Sequence, residues 1–561
     1  MNLIGNINAI PFRRFRGGSG ATPPFPSIPG MIARYSASGL TNEQMKENPV
    51  WVDKTGNGHD LQMKNFLWGE MSGVGGYKLN WGDSNIWRNY ITQGTFGTGE
   101  VTDNTIHITS AKTNNALFET RASLKSVEYK VLIKGLTDDI YLRYGVFNDG
   151  KELWTEIKND GIYTLPSYDY DSRYNMKWKV MSQTYPIDCN ITIEQLPLYP
   201  GALVFDGVDD YGTCDNFPIL TKGKGYTVVA LRQWISMGEG IFGLVSNVKN
   251  WFNDGAFVLE YNSNNATNKF VNRPISFGNV DIEMDLPNNF TYQTSKSYKG
   301  VPITTGSFKG TNSLFVGKLN NIIGNCSNVA IWELVFLDHD ATEEELTKIK
   351  DYFIKTYPWL FPYQAWTVVG KTNEDEDRAT ITNITGNGND LVLSNFGFAE
   401  GSGYNEEGQY AGYLVTDGVD DRVQDSSFKL NKDWTLVGEW VLLNRKATNA
   451  GITKPFSFVV YNRTTGLSLF INTGTSGITI ENVKSIKAIC SDGRIYLDDW
   501  SEMLISKDQD ITSSTSVLSI GFNGTAYTQI AFKNLGIYNN QILSKEDCIK
   551  AYNYLQTLKA K

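Results

Sequence analysis

"TGNGHDLQM" at 55–63 and "TGNGNDLVL" at 385–393 are almost the same nine residues, 330 positions apart. Other pairs follow in the same order. "TNE" at 41–43 returns at 372–374, and "FDGVDDY" at 205–211 returns as "TDGVDDR" at 416–422. "YTVVA" at 226–230 matches "WTLVG" at 434–438, and "NVAIW" at 328–332 matches "NLGIY" at 534–538. Repetition that keeps its order marks a copied domain. Between the TGNG and DGVDD motifs the offset falls from 330 to 211, so the first copy holds about 119 extra residues, from near Gly82 to near Pro200. That is a domain's worth of chain, and loop tips accept such guests when the guest's ends lie close together.

Four parts follow: an extended N-terminal segment at 1–30, a first repeat at 31–83 plus 199–360, an inserted domain at 84–198, and a second repeat at 361–561. "TYPWLFPY" (356–363) joins the repeats, and its two prolines predict a short, stiff connection. The 561 residues exceed what one hydrophobic core organises. Aromatic residues at 13% and 53 glycines favour strands and tight turns. "GALVFDGVDDYGTC", "YTVVALRQWI", "NSLFVGKL" and "NVAIWELVFL" alternate apolar and polar residues around Asp-Gly turns, and copy two answers with "WTLVGEWVLL", "FSFVVYN" and "QIAFKNLGIYN". Each repeat closes on one amphipathic helix. Thr342 caps the first, with Glu345 three residues on and Leu346, Ile349 and Phe353 along one face; Ser544 caps the second, with Asp547, Ile549, Tyr552 and Leu555.

These ordered motifs resemble the laminin-G/concanavalin A-like lectin family in its bacterial and phage branch. The resemblance covers both repeats. It implies an all-β fold of two jelly-roll sandwiches in tandem, to which the sequence adds a C-terminal helix each; the insert, strand-like in "NTIHITS", "SVEYKVLIKGL", "IYLRYGVFN" and "CNITIEQLP", resembles in pattern alone a smaller accessory carbohydrate-binding β-sandwich. The family resemblance further implies glycan binding on a concave sheet or rim loops, in some members with calcium.

Composition excludes several function classes. A net charge of −9 lacks the basic footprint of a nucleic-acid binder. No apolar run reaches the length of a membrane span, so membrane insertion is not expected. The five cysteines sit at no ligand or redox spacing, and the three histidines are scattered. The order of basic and apolar residues at the start is wrong for a secretory signal.

Candidate sites fall into four groups. An acid pair for glycoside hydrolysis is sought in "DIEMDLPN" (281–288), where Glu283 and Asp285 stand but Asn288 replaces the second glutamate, so no catalytic set is expected. Asp206, Asp209 and Asp210, with Asp417, Asp420 and Asp421, gather carboxylates in the pattern calcium uses; the alternative is that they make turns, and no cofactor is then required. Trp81, Trp87, Tyr168, Tyr170, Trp251 and Phe252 lie in polar contexts, as aromatics that stack on sugar faces do. Ile10, Phe12, Arg13, Arg14, Phe15 and Arg16 form a short apolar-basic head before a proline-rich stem, an arrangement suited to an anchor that orders on a partner.

The resulting expectation is a bacteriophage virion structural protein, a head or tail fibre or appendage. It is fixed to capsid or tail proteins through residues 1–30, presents lectin-like domains to host-surface or mucosal glycans, and is displayed as a homotrimer. A polysaccharide depolymerase and a bacterial cell-surface adhesin are the alternatives.

Overall fold

A computed structural model describes residues 23–121, 127–148, 151–166, 176–220, 225–236, 242–247, 257–262, 271–272, 280–281, 289–302, 311–319, 326–408, 410–425, 433–444, 457–463, 466–472, 477–481, 486–504, 518–521, 527 and 529–560. The fold is all-β, built of antiparallel sheets facing one another. The described residues also hold three α-helices: α1 (Asn42–Glu47), α2 (Glu343–Thr356) and α3 (Lys545–Gln556).

The two repeats share one plan. In the first, Asn328–Leu337 pairs with Thr227–Trp234 along one edge, while Leu203–Asp206 and then Met31–Ser36 share the other. In the second, Gln529–Asn539 is flanked in the same way by Trp434–Asn444, Tyr413–Val415 and Gln364–Thr367. Even an irregularity is copied: the register shifts between Leu231 and Arg232 in one repeat and between Glu439 and Trp440 in the other. Alternation sets the facing, so Leu61 and Met63 are buried while Gln62 and Lys64 are exposed. Trp51, Leu61 and Met63 share a core with Leu203, Phe205 and Phe336, so residues on both sides of the insert build one sandwich. Trp366, Leu391 and Leu393 do the same with Leu414, Trp434 and Ile537.

One motif match needs correction. Thr227 pairs with Leu337 and Thr435 with Tyr538, which equates Ile331 with Phe532 and sets "NVAIW" against "QIAFK" (529–533), five residues before "NLGIY". Both strands are buried on both faces over most of their length, so side-chain parity does not pin the register.

The repeated nonapeptide is a turn. Gly56, Gly58, Gly386 and Gly388 take φ of +80°, +80°, +72° and +88°, which a Cβ disfavours. Asp60 Oδ1 accepts from the Asp53 amide at 2.8 Å, and Asp390 Oδ1 from the Asn383 amide at 2.7 Å. The Thr55 and Thr385 hydroxyls each accept from an amide two residues on, at 3.2 Å. Each motif closes one hairpin and aims Leu61 or Leu391 into its core.

The insert is a sandwich of two five-stranded sheets. Its entry and exit are laced together: Gly75 N–H donates to Ala202 O, and the Leu198 and Tyr199 amides donate to Gly76 O and Gly75 O, all at 2.8 Å. Leu79 and Trp81 already pack in the insert's core, so the chain crosses into the guest before residue 79 and not at 83.

A further hydrophobic cluster joins all three sandwiches. It contains Tyr352 and Phe353 of α2, Ile549, Tyr552 and Leu555 of α3, Trp359 and Leu360 of the joint, and Leu132 of the insert. Capping fixes where the helices start: Thr342 Oγ1 accepts from the Glu345 amide at 3.3 Å, and Ser544 Oγ from the Asp547 amide at 3.1 Å. The stretch 23–30 is not a free stem. Ile28 is buried in the cluster, and the Phe25 ring lies 4.8 Å from that of Tyr352. Below it, Arg34 forms two 3.1 Å hydrogen bonds to Glu333, whose side chain is 0% exposed, and Tyr357 donates to the same carboxylate at 2.8 Å.

Arg34→Ala strands the Glu333 carboxylate without its counter-charge and is expected to cost about 3–5 kcal/mol in urea unfolding, with part recovered by adding Glu333→Gln. Deleting residues 1–30, which removes Ile28 and Phe25 from the cluster, is expected to lower the unfolding midpoint, and Ile28→Ala in the full chain to lower it in the same direction.

Candidate functional site

The insert's two sheets have different tasks. In one, the strand Glu128–Lys134 turns Tyr129, Val131 and Ile133 into the insert's own core and Leu132 into the shared cluster. Lys130 on the same outer side lies 4.1 Å over the Tyr552 ring of the second repeat. Burial lowers the Lys130 pKa to about 8. Burial alone would raise the Glu439 pKa, but Lys487, Lys130 and Lys533 hold it down at about 2. This sheet docks the insert.

The other sheet presents its outer face away from that seam. Its strands Lys151–Ile157, Tyr141–Asn148 and Met176–Met181 lie side by side, with Trp154 opposite Gly145 and Gly145 opposite Lys177. Leu142, Tyr144, Trp178 and Val180 are buried inward, so alternation turns Arg143, Gly145, Lys177 and Lys179 outward. The Trp154 ring occupies the space a side chain at 145 would need: a Cβ on Gly145 would lie 2.6, 2.8 and 2.8 Å from Cζ3, Cε3 and Cη2 of the indole. Three ring atoms nearly equidistant from that point mean that the indole lies flat across the middle strand. Glycine in a strand interior here marks close approach.

Charges surround the plate. Lys179 Nζ lies 4.7 Å and the Arg143 guanidinium carbon 5.3 Å from the Trp154 ring centre. Glu156 is 3.1 Å from Lys158 Nζ and 3.6 Å from Arg143 Nε, and Glu152 forms an ion pair with Lys177. The hydrogen bond from Lys177 is the largest of the effects that hold the Glu152 carboxyl below its usual range. A flat, partly exposed indole ringed by charged side chains fits the apolar face of a sugar while donors reach its substituents.

Sequence reasoning missed Trp154. Its signal is "KELWTEI", where Glu152, Trp154 and Glu156 alternate onto one charged face. Two residues chosen instead are core: Trp81 and Trp87 are 1% and 2% exposed in the insert's interior, so they are not a glycan surface. Tyr168, Tyr170, Trp251 and Phe252 lie outside the described residues, as do Ile10, Phe12, Arg13, Arg14, Phe15 and Arg16. Glu283, Asp285 and Asn288 also lie outside them. A polar hollow of about 440 Å³ between Gly58–Lys64 and Thr213–Asn216 of the first repeat has no aromatic in its lining.

The acidic triads are assembled alike in both copies, their carboxylate oxygens within 4.8 Å of one another. Asp206 Oδ1 accepts from the Val208 amide at 2.7 Å and Asp417 Oδ1 from the Val419 amide at 2.7 Å. Asp210 accepts from the Ser72 hydroxyl at 3.0 Å and the Asp206 amide at 3.0 Å; Asp421 accepts from Ser402 at 3.1 Å and the Asp417 amide at 2.7 Å. Calcium takes six to eight oxygens. Here half of the carboxylate oxygens already hold the loop together, so the turn accounts for Asp206, Asp210, Asp417 and Asp421 without a metal, and Asp209 and Asp420 are exposed beside it.

No protein-family model matches the chain. A search of curated proteins finds no match either. Among solved structures, a Trypanosoma rangeli sialidase in complex with sialic acid aligns at 9% identity and a TM-score of 0.22, over 46% of this chain and 62% of that one. The chain thus spans less than two thirds of the sialidase's length. The botulinum neurotoxin serotype D binding domain aligns at 10% identity and a TM-score of 0.23, over 61% of this chain and 88% of that one. Likeness at this level bears on neither ligand nor activity.

Burial raises the pKa of Asp210 to about 7 and of Asp421 to about 6. At these two groups the folded state therefore holds protons that the unfolded chain has already released, and the stability they contribute is lost as pH rises from about 4 to 7. Chemical unfolding of wild type and Asp210→Asn side by side is expected to show the difference between them shifting in favour of the variant as pH rises from about 4 to 8. Calcium at millimolar concentration is expected to leave the melting temperature at pH 7 unchanged; a rise lost in Asp206→Asn would restore the metal reading.

Proposed function

We propose that the protein is a non-catalytic glycan-binding protein displayed on a bacteriophage particle, with the insert's outer face as a binding surface. The observation that carries the glycan reading is the Trp154 indole held flat over Gly145. The ring is supported by backbone on one side, so it keeps its orientation without a ligand, and a ligand meets a surface already ordered. The twice-written lectin-type motifs support the same reading through their resemblance. The packing of Phe25 and Ile28 supports the anchoring role, because it ties the chain that follows the apolar-basic head firmly to the body. Homotrimeric display would multiply a weak single site through avidity.

On a glycan array the protein is expected to bind a subset of polysaccharides. Trp154→Ala is expected to lower affinity about tenfold or more, in line with the loss of one stacked ring. Gly145→Val, which keeps the tryptophan but lifts its ring, should do the same without changing the fold seen by circular dichroism. No new reducing ends should appear when the bound polysaccharide is incubated with the protein; their appearance would replace the binder with a depolymerase. Mass spectrometry of purified particles should find the protein, and a 1–22 deletion should leave it folded but absent from particles.

A further inference from the structure

We infer that the Trp154 face selects carboxylate-bearing sugars over neutral ones. This rests on the glycan reading above and names the ligand class.

The argument is an inventory of donors and acceptors. A neutral sugar offers hydroxyls, which both donate and accept, and sites that read them usually mix acceptor side chains with donors. Around Trp154 the acceptors are already committed. Glu152 is engaged by Lys177, and Glu156 by Lys158 at 3.1 Å, with Arg143 at 3.6 Å. Among the described residues the cations exceed them: Arg143, Lys158, Lys177 and Lys179 face Glu152 and Glu156, while Glu119, opposite Lys177 on the next strand, is held by Arg88 at 3.7 Å. Lysine and arginine are donors only.

Two groups stand out. Lys179 Nζ has no carboxylate within 4 Å among the described residues and lies over the indole, 4.7 Å from its centre. Arg143 Nε is buried and makes no hydrogen bond among the described residues. Both sit in the row next to Trp154, because Lys179 pairs across the sheet with Arg143, and Arg143 with Glu156. A sugar ring stacked on the indole would carry its ring substituents over this row. A carboxylate there gains a charge-assisted hydrogen bond from Lys179, whereas a hydroxymethyl group leaves the Lys179 charge without a carboxylate partner among the described residues. Among the described residues the patch is positive, on a chain whose net charge is −9, so its sign does not follow from composition.

The test is an array of alginate, polygalacturonate, hyaluronan and polysialic acid, each beside its carboxyl-reduced neutral counterpart, with heparin as a sulfated control. The wild-type protein is expected to bind at least one acidic polymer about tenfold more strongly than its reduced form, and to lose that margin as salt is raised. Lys179→Gln is expected to shrink the preference to about threefold or less while the reduced polymer still binds; Trp154→Ala should weaken both. Equal binding of acid and reduced forms, an unchanged preference in Lys179→Gln, or binding confined to heparin would overturn the carboxylate assignment and leave the glycan reading standing. Absence of binding on every spot, acidic or neutral, would instead remove the glycan reading.

Discussion

The cluster around α2, α3 and the Pro358–Leu360 joint is the constraint on which the arrangement of this protein depends. Each helix closes a sandwich and buries its apolar stripe, and both stripes enter one continuous interior. The joint between repeats is therefore packed, with Trp359 and Leu360 buried and Tyr538 donating to Trp359 O at 2.8 Å. Polar contacts reinforce the union of the repeats: Asn289 Nδ2 reaches Leu360 O and the Tyr554 hydroxyl at 3.0 Å each, and Gln233 Nε2 reaches Thr557 Oγ1 at 2.7 Å.

The same seam explains how the insert presents a face. A guest domain tied only through two adjacent chain ends would be free to swing. Here the sheet carrying Leu132 and Lys130 lies against the second repeat, so the guest is held covalently by one repeat and by packing against the other. Its second sheet is left to face outward, with Trp154 at its surface. Docking and display divide between the two faces of one small sandwich.

The copies have diverged inside in a way that follows desolvation energetics. Arg34 and Glu333 form a buried pair in the first repeat; the equivalent positions in the second are Ala365 and Asn534, so both charges are gone together. Arg232, fully buried on Glu260 in the first repeat, is replaced by Trp440. Removing one partner alone would leave a bare buried charge, whereas losing both is tolerated by a core of similar volume. The turns, by contrast, kept their chemistry, because each is closed by short-range bonds that either copy forms independently.

What the sequence determined by itself is local. The TGNG and DGVDD turns, the capped helices and the existence of a guest between near residue 82 and near residue 200 are written in stretches of ten residues or fewer and in the offset between them. The register of the buried strand at 328–337 was not legible, because a strand buried on both faces carries no parity signal. Nor was the Trp154 plate. Nothing near residue 154 says that residue 145 is the glycine beneath it, or that Lys179 will lie over the ring. Those neighbours come from three strands whose pairing is fixed by the packing of the whole sandwich, and only the tertiary structure brings them to one surface.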